Sequence, residues 1–160
     1  MAEKTGLRPI VFVRWAGVVL WAGVIVFMSS QTSTDINAGL GFFSEIARIL
    51  RTVEESIFGS GVDVLSVLGH FFEYFILSFL LVNALWQHMS LKRACVVAIV
   101  CSSLFGITDE LHQYFVPGRM CDPLDWAVDT IAATVGAIVA RPVLKRVDAA
   151  ISRTDDTYSK

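Results

Sequence analysis

The chain has 160 residues, of which 54% are hydrophobic and 18% are charged, and its formal net charge is −2. A soluble domain carries about a quarter charged residues, so this composition favours a small integral membrane protein with one domain over residues 1–160. The small net charge argues against a nucleic-acid partner, and the three cysteines, which form no CxxC pair, predict no disulfide framework.

The first predicted element is an apolar run at about residues 10–28, which follows Lys4 and Arg8. Crossing a bilayer as a helix takes about 20 apolar residues, so the run is long enough to do so. The segment MSSQTSTD that follows offers no A-x-A-like cleavage site. We therefore expect a retained first span and not a cleaved signal peptide.

The next predicted element covers about residues 36–57, where apolar residues recur at helical spacing and charged residues mainly take the other faces. This segment is too polar for a span and predicts an amphipathic helix in the membrane interface, ending at Gly59–Gly61. Two roles stay open for it, a roof over a site in the bundle or a plain interfacial anchor.

Three further spans are predicted at about residues 64–85, 94–115 and 122–141. The apolar part of the third, Ala94–Ile107, has 14 residues and makes about 21 Å of helix against a hydrocarbon core of about 30 Å. The third span must therefore continue through polar residues, and the fourth must contain acidic ones. The sequence thus predicts an all-α, four-transmembrane-helix bundle with carboxylates at membrane depth.

Most basic residues sort to one side of these spans, and only Arg48, Arg51 and Arg119 lie on the other side. The residues on the first side are Lys4, Arg8 and Arg14 at the start, Lys92 and Arg93 between the second and third spans, and Arg141, Lys145, Arg146 and Arg153 at the end. By the positive-inside rule, both termini are cytoplasmic, and the loops at 29–63 and 116–123 face outward.

Sequence distances predict that the polar residues of separate spans lie at similar heights. Asp129 lies 12 residues from Arg141 and Glu73 lies 13 from Trp86, which is about 18 and 20 Å of helix. Four more residues each lie 16 residues from an inner-interface marker, about 24 Å: His70, Asp109, Asp125 and Ser30. We infer a polar cavity in the outer half of the bundle, with small residues allowing close helix approach.

Ionisable residues inside a membrane cost several kcal/mol each unless they are paired or hydrated, so they indicate a functional site. Here the carboxylates outnumber the nearby bases, Arg119, His70 and His112. Three explanations stay open: protonation of some acids, a bound divalent cation, or external water. The candidate ligands of a cation are Asp109, Glu110, Asp125 and Asp129.

The segment Val116–Arg119, VPGR, predicts a tight turn with proline at its second position and glycine at its third. Such a turn would hold Arg119 over the cavity mouth, where a guanidinium suits a carboxylate or phosphate group. The alternative is a salt bridge from Arg119 to Asp122 or Asp125 that only fixes the loop.

Two motifs, HFFEY at His70–Tyr74 and TDELHQYFVPGR at Thr108–Arg119, followed by Asp125 and Asp129, closely resemble the VanZ-like family of small bacterial membrane proteins. The resemblance runs from about Trp21 to Val139. It implies a four-span bundle in the bacterial inner membrane and a link to resistance against teicoplanin, a glycopeptide with an acyl tail. It supplies no molecular mechanism.

The resemblance also implies which residues of this chain match the family's motif positions. They are His70, Glu73, Tyr74, Asp109, Glu110, Gln113, Pro117, Gly118, Arg119, Asp125 and Asp129. The chain departs from the family at one place. Many relatives have a basic residue just before the histidine motif, where this chain has SVL at Ser66–Leu68. Without that basic residue, a phosphate contact at this position is in doubt. The excess of acidic side chains is also less compensated by basic ones.

Our leading hypothesis is an outer-leaflet site for a lipid or an acylated envelope molecule. In an enzymatic form, His70 and Glu73 are the proton-transfer pair, and the acids bind a cation or serve as acid and base; they are Asp109, Glu110, Asp125 and Asp129. The candidate substrate-binding residues are Arg119, Gln113, Tyr74, Ser30 and Gln31. In a binding form, the same pocket holds an amphiphile without chemistry. The alternative is a non-catalytic structural bundle that recruits a partner.

Overall fold

A computed structural model of the chain describes residues 7–31, 49–50, 52–53, 55–57 and 64–158. Within these residues the chain has no strand and forms four long helices: α1 (Leu7–Ser29), α2 (Val64–Leu85), α3 (Leu91–Gln113) and α4 (Pro123–Tyr158). Each contains a segment long and apolar enough to cross a membrane: Ile10–Ser29, Val64–Leu85, Leu91–Gln113 and Pro123–Val147. The prediction of an all-α bundle with four membrane spans is confirmed.

The predicted interfacial helix at about residues 36–57 lies mostly outside the described residues. Residues 49–50, 52–53 and 55–57 are helical, and their large apolar side chains Ile49, Leu50, Val53 and Ile57 are exposed. The placement of this segment in the membrane interface stays a prediction.

Helix α4 packs most extensively on α2, and α3 packs on both of them, while α1 packs mainly on α2. Small residues at these contacts allow the helix backbones to approach closely. Gly136 of α4 is the extreme case, because a Cβ there would overlap the backbone carbonyl of Phe75 in α2. The buried alanines of α3 and α4 are Ala94, Ala98, Ala132, Ala133, Ala137 and Ala140.

The outer surface of the bundle is apolar on every helix. Phe12 and Leu20 of α1, Phe72 of α2, Leu104 of α3 and Ile131 of α4 are all more than half exposed. Apolar exposure on this scale marks a surface that is covered by something other than water. Together with the length of the helices, it indicates that the bundle is solvated by lipid.

The helices alternate in direction. Trp21 donates a hydrogen bond from Nε1 to the carbonyl of Glu73 at 2.9 Å, and Arg14 donates from Nη1 to the carbonyl of Asn83 at 3.3 Å, so α1 runs antiparallel to α2. The end of α1, the start of α2, the end of α3 and the start of α4 therefore lie together. We call this the PGR end, after Pro117–Arg119.

The connection at the PGR end contains the predicted tight turn. The Arg119 amide donates to the Val116 carbonyl at 3.1 Å, and Gly118 has a φ of 80°. Proline at the second position and a positive φ at the third are the pattern of a type II turn, in which glycine avoids backbone strain.

Helix α4 begins directly after this connection. The Asp122 carboxylate accepts a hydrogen bond from the Leu124 amide at 2.8 Å, and proline occupies the first helical position at Pro123, a combination that favours helix initiation. The helix continues to Tyr158, beyond the predicted end of the fourth span near residue 141. The exposed Lys145 and Arg146 show why, since a charged helix end can extend past the membrane into water.

Candidate functional site

Polar side chains of α2, α3 and α4 meet inside the bundle near the PGR end. The ionisable members His70, Asp109, Glu110 and Asp129 are each at most 5% exposed, and Gln113 beside them is 2% exposed. We call this group the polar layer. It contains residues from three separate spans. The distances counted along the sequence predicted similar heights for His70, Asp109 and Asp129.

His70 and Asp129 make the central contact of the polar layer. His70 Nδ1 and Asp129 Oδ1 are 3.1 Å apart and form a hydrogen bond between α2 and α4. The other ring nitrogen, Nε2, lies 4.0 Å from Asp125 Oδ2, and the Asp125 side chain is 22% exposed. The histidine ring therefore stands between two carboxylates of α4, one buried and one reaching the surface.

Glu110 of α3 joins this group from the other side. Its Oε2 accepts a hydrogen bond from the Asp122 backbone amide at 2.8 Å, so a side chain of α3 satisfies an amide at the start of α4. One ligand atom from each of His70, Glu110 and Asp129 lies within 4.8 Å of the other two. The three side chains could thus contact one small ligand.

Asp109 and Gln113 form a second part of the layer, next to α1. Gln113 Nε2 donates to Asp109 Oδ2 at 3.3 Å and to Ser29 Oγ at 3.5 Å. Ser29 is buried and closes this part from the side of α1. Asp109 and Glu110 are adjacent in sequence but meet different neighbours, because successive helical residues point about 100° apart.

Several buried oxygens of this region lack a hydrogen-bond partner among the described residues. They are Asp109 Oδ1, Glu110 Oε1, Asp129 Oδ2, Ser102 Oγ, Ser78 Oγ and the Tyr74 hydroxyl. A buried polar group without a partner is costly. Each of the three carboxylates thus has one oxygen that accepts a hydrogen bond and one that does not, so each has an acceptor that a ligand, a proton or water could satisfy.

Arg119 lies at the PGR end and is partly buried. Its Nε donates to the Gln31 carbonyl at 3.2 Å and its Nη2 to the Met28 carbonyl at 3.4 Å. The guanidinium therefore caps the C-terminal end of α1, where carbonyl groups have no intrahelical partner. The contacts described for Arg119 are thus with backbone carbonyls of α1, and the alternative salt bridge to Asp122 or Asp125 stays a prediction.

Ser30 and Gln31 lie where α1 ends and face the loop, not the polar layer. Ser30 Oγ donates to the Val26 carbonyl at 2.6 Å and lies 3.0 Å from His112 Nε2. Gln31 Nε2 donates to the Phe27 carbonyl at 3.2 Å. Both residues and the exposed His112 are therefore placed at the rim of the PGR end.

Glu73 and Tyr74 lie one turn farther along α2 than His70. Tyr74 is fully buried, whereas Glu73 is partly exposed. The described contacts of the His70 ring are with Asp129 and Asp125, so the structure places the histidine in a pair with α4. The predicted proton-transfer pair of His70 and Glu73 stays a prediction.

Two residues that matter to the site were not singled out by the sequence as site residues. Ser29 hydrogen-bonds Gln113 from α1, and Gly106 lets α3 approach Asp129, since a Cβ there would lie 3.0 Å from Asp129 Oδ2. Gly106 shares a helix face with Asp109 and Gln113, a pattern that was visible in the sequence. Ser29 carried no comparable pattern, because its role depends on how α1 packs.

Comparison with known proteins gave one match. A family model described as VanZ/LLP1 matches residues 14–145, which is most of the chain and includes the second and third membrane spans, most of the first and fourth, and the polar layer. Searches of the curated proteins and of the solved structures found no match.

Proposed function

We propose, from the premise that this multi-pass membrane protein belongs to the VanZ-like family, that its polar layer binds the headgroup of an amphiphile. The amphiphile is a membrane lipid or an acylated molecule of the bacterial envelope. Its apolar chain would lie against the lipid-facing helices while the headgroup contacts the PGR end.

The observation that carries this proposal is the set of buried carboxylates in a lipid-solvated bundle. Asp109, Glu110 and Asp129 are nearly inaccessible, and each has one oxygen without a described partner. Such groups cost several kcal/mol in a membrane, and apolar residues of similar size would pack helices at no such cost. A purely structural bundle therefore has no need of them, whereas a binding site does.

The entrance that we propose is the PGR end. Asp125 is partly exposed and lies 4.0 Å from His70 Nε2, so the polar layer continues to the surface at this place. The distribution of lysine and arginine supports an orientation with the PGR end on the outer face of the inner membrane and both termini cytoplasmic. The headgroup would then come from the outer leaflet.

Arg119 would contact an anionic part of the headgroup. Its contacts with α1 use Nε and Nη2, whereas a guanidinium has five N–H donors in a planar arrangement that suits carboxylate or phosphate. The other proposed contacts are Gln113 in the polar layer, the buried Tyr74 one turn from His70, and Ser30 and Gln31 at the rim of the PGR end.

Thermal unfolding of the purified protein in detergent, with and without ligand, tests this proposal. Teicoplanin and vesicles of phosphatidylglycerol are the two probes, and teicoplanin without its acyl chain is the matched control ligand. We expect an acylated probe to raise the melting temperature of the wild type. Arg119→Lys, which keeps the charge but loses the planar donor arrangement, should reduce the shift, and Arg146→Lys at the opposite end should not.

Equal shifts with the deacylated ligand, or an undiminished shift in Arg119→Lys, would contradict the proposed site. Lower stability of Arg119→Lys without ligand, and no shift in the wild type, would support the structural alternative. The same incubations, analysed by mass spectrometry, separate binding from modification. An altered mass of the probe that disappears in Asp125→Asn would assign the acids a catalytic role.

A further inference from the structure

We propose that His70, Glu110 and Asp129 form a binding site for one divalent transition-metal ion, with Zn²⁺ and Mn²⁺ as the best-matched ions. One ligand atom from each residue lies within 4.8 Å of the other two. The three residues come from α2, α3 and α4, so a bound ion would join the three helices that pack closely together. This inference stands on these three residues and is independent of the amphiphile proposed above.

The spacing of the ligand atoms is close to that of a metal site. Bonds of about 2.1 Å to a tetrahedral Zn²⁺ place neighbouring ligand atoms about 3.4 Å apart. His70 Nδ1 and Asp129 Oδ1 are already 3.1 Å apart. Glu110 reaches the same space on a side chain with three rotatable bonds, so a small rotation completes the set.

Each of the two carboxylates has one buried oxygen without a described partner. Glu110 Oε1 and Asp129 Oδ2 have no hydrogen-bond partner among the described residues. The other oxygen of Glu110 accepts a hydrogen bond from the Asp122 amide, and such an outer contact commonly orients a metal-binding carboxylate. On metal binding, His70 Nδ1 would give up its hydrogen bond to Asp129 Oδ1, and both atoms would contact the ion.

His70 also has a carboxylate near the ring nitrogen that would not bind the ion. To bind the ion through Nδ1, the neutral ring must carry its proton on Nε2. Nε2 lies 4.0 Å from Asp125 Oδ2, and a carboxylate that receives the remote N–H of a metal-bound histidine is a common outer contact. Asp125 would therefore be a positioning residue, not a ligand.

Charge balance favours a divalent ion. Glu110 and Asp129 are both buried in a membrane-spanning bundle, where two negative charges would repel each other and be poorly solvated. A divalent cation would neutralise both of them. The nitrogen ligand favours a transition metal over Mg²⁺ or Ca²⁺, which prefer sites made of oxygen alone.

The test begins with the wild-type protein, treated with a chelator in detergent, dialysed, and titrated with Zn²⁺, Mn²⁺ and Mg²⁺. We expect one equivalent of Zn²⁺ or Mn²⁺ per chain by elemental analysis, a higher melting temperature, and weaker binding of Mg²⁺. Co²⁺ should give visible d–d bands that change in His70→Gln, because a ring nitrogen leaves the coordination sphere.

The variants separate ligands from neighbours. Glu110→Gln and Asp129→Asn keep the side-chain shape and should weaken Zn²⁺ binding by at least about 100-fold, whereas Asp125→Asn should weaken it by about 10–100-fold, as expected for an outer contact. Asp122→Asn is the matched control, because it removes the same charge at the PGR end and preserves the helix cap. It should bind metal as the wild type does.

Failure of the wild type to retain any stoichiometric transition metal would overturn the site, whether or not the variants fold. So would wild-type affinity in both Glu110→Gln and Asp129→Asn. Metal binding without any response to amphiphiles would leave this site standing and remove the proposed function. Stabilisation by amphiphiles without any metal binding would remove this metal site and leave the proposed function standing.

Discussion

At the residue scale, Asp129 is the centre of the polar layer. It is completely buried, its Oδ1 pairs with His70 of α2, and its Oδ2 faces the backbone of α3 at Gly106. Its place near the middle of a span was predictable by counting back from Arg141. Its partners were not, because they depend on the rotation of α2 and α3 about their own axes.

Replacing Gly106 with alanine tests how tightly Asp129 is held. The new Cβ would lie 3.0 Å from Asp129 Oδ2, which is closer than ordinary van der Waals contact, so the carboxylate must move by a few tenths of an ångström. We expect Zn²⁺ affinity to fall by about 10-fold, as for other changes that misorient a ligand, with the protein still folded. Titration of the chelator-treated variant measures this.

Gly69→Ala is the control for this prediction. Gly69 precedes His70 in α2, and a Cβ there would meet nothing within 4 Å. Its metal affinity should match that of the wild type. Unchanged affinity in Gly106→Ala would show that Asp129 does not depend on this contact.

At the element scale, α4 positions the site through its first two turns and its contact with α2. Asp122 caps the helix, and its amide holds Glu110 of α3. Farther along, Gly136 brings the backbone of α4 against α2 at Phe75. This close contact sets the distance between the helices that carry Asp129 and His70.

Gly136→Ala should therefore destabilise the whole bundle. The added methyl group would overlap the backbone carbonyl of Phe75, which cannot move aside as a side chain can, so α4 must shift away from α2. Overpacking costs typically about 1–3 kcal/mol, and we expect the upper part of this range. Unfolding in mixed micelles with increasing SDS measures the change.

Gly23→Ala serves as the comparison, because a Cβ at Gly23 in α1 meets nothing within 4 Å. It should unfold as the wild type does. Equal stability of Gly136→Ala and the wild type would mean that α2 and α4 do not pack this closely in the membrane.

At the scale of the whole molecule, four spans return the chain to its starting side. The distribution of basic residues predicts that this side is the cytoplasm. The three native cysteines provide a test that needs no introduced cysteine, since Cys121 is exposed in the connection at the PGR end, Cys101 is exposed on α3 within a span, and Cys95 is buried.

We expect a membrane-impermeant maleimide to label Cys121 in intact spheroplasts, because the basic residues predict that the PGR end faces outward. Cys121→Ser should abolish the labelling, while Cys101→Ser, which changes a residue on the surface facing lipid, should not. Labelling that requires disruption of the membrane would place the PGR end in the cytoplasm and reverse the proposed orientation.

The sequence by itself determined the class of the protein and predicted the depth of its acids in the membrane. Ala94–Ile107 is too short to span a bilayer, and α3 indeed runs through Asp109 and Glu110 to Gln113. Helical rise is nearly constant, so counting residues converts directly into height. The same constancy explains why acids from separate helices could be expected near one level.

Only the tertiary structure decided which side chains meet. Asp109 lies with Gln113 and Ser29, whereas its neighbour Glu110 lies with His70 and Asp129, and Arg119 caps α1. A height along the membrane normal does not specify a direction around a helix axis. That direction is set by close packing at residues such as Gly106 and Gly136, where the fit of the backbones selects one rotation for each helix.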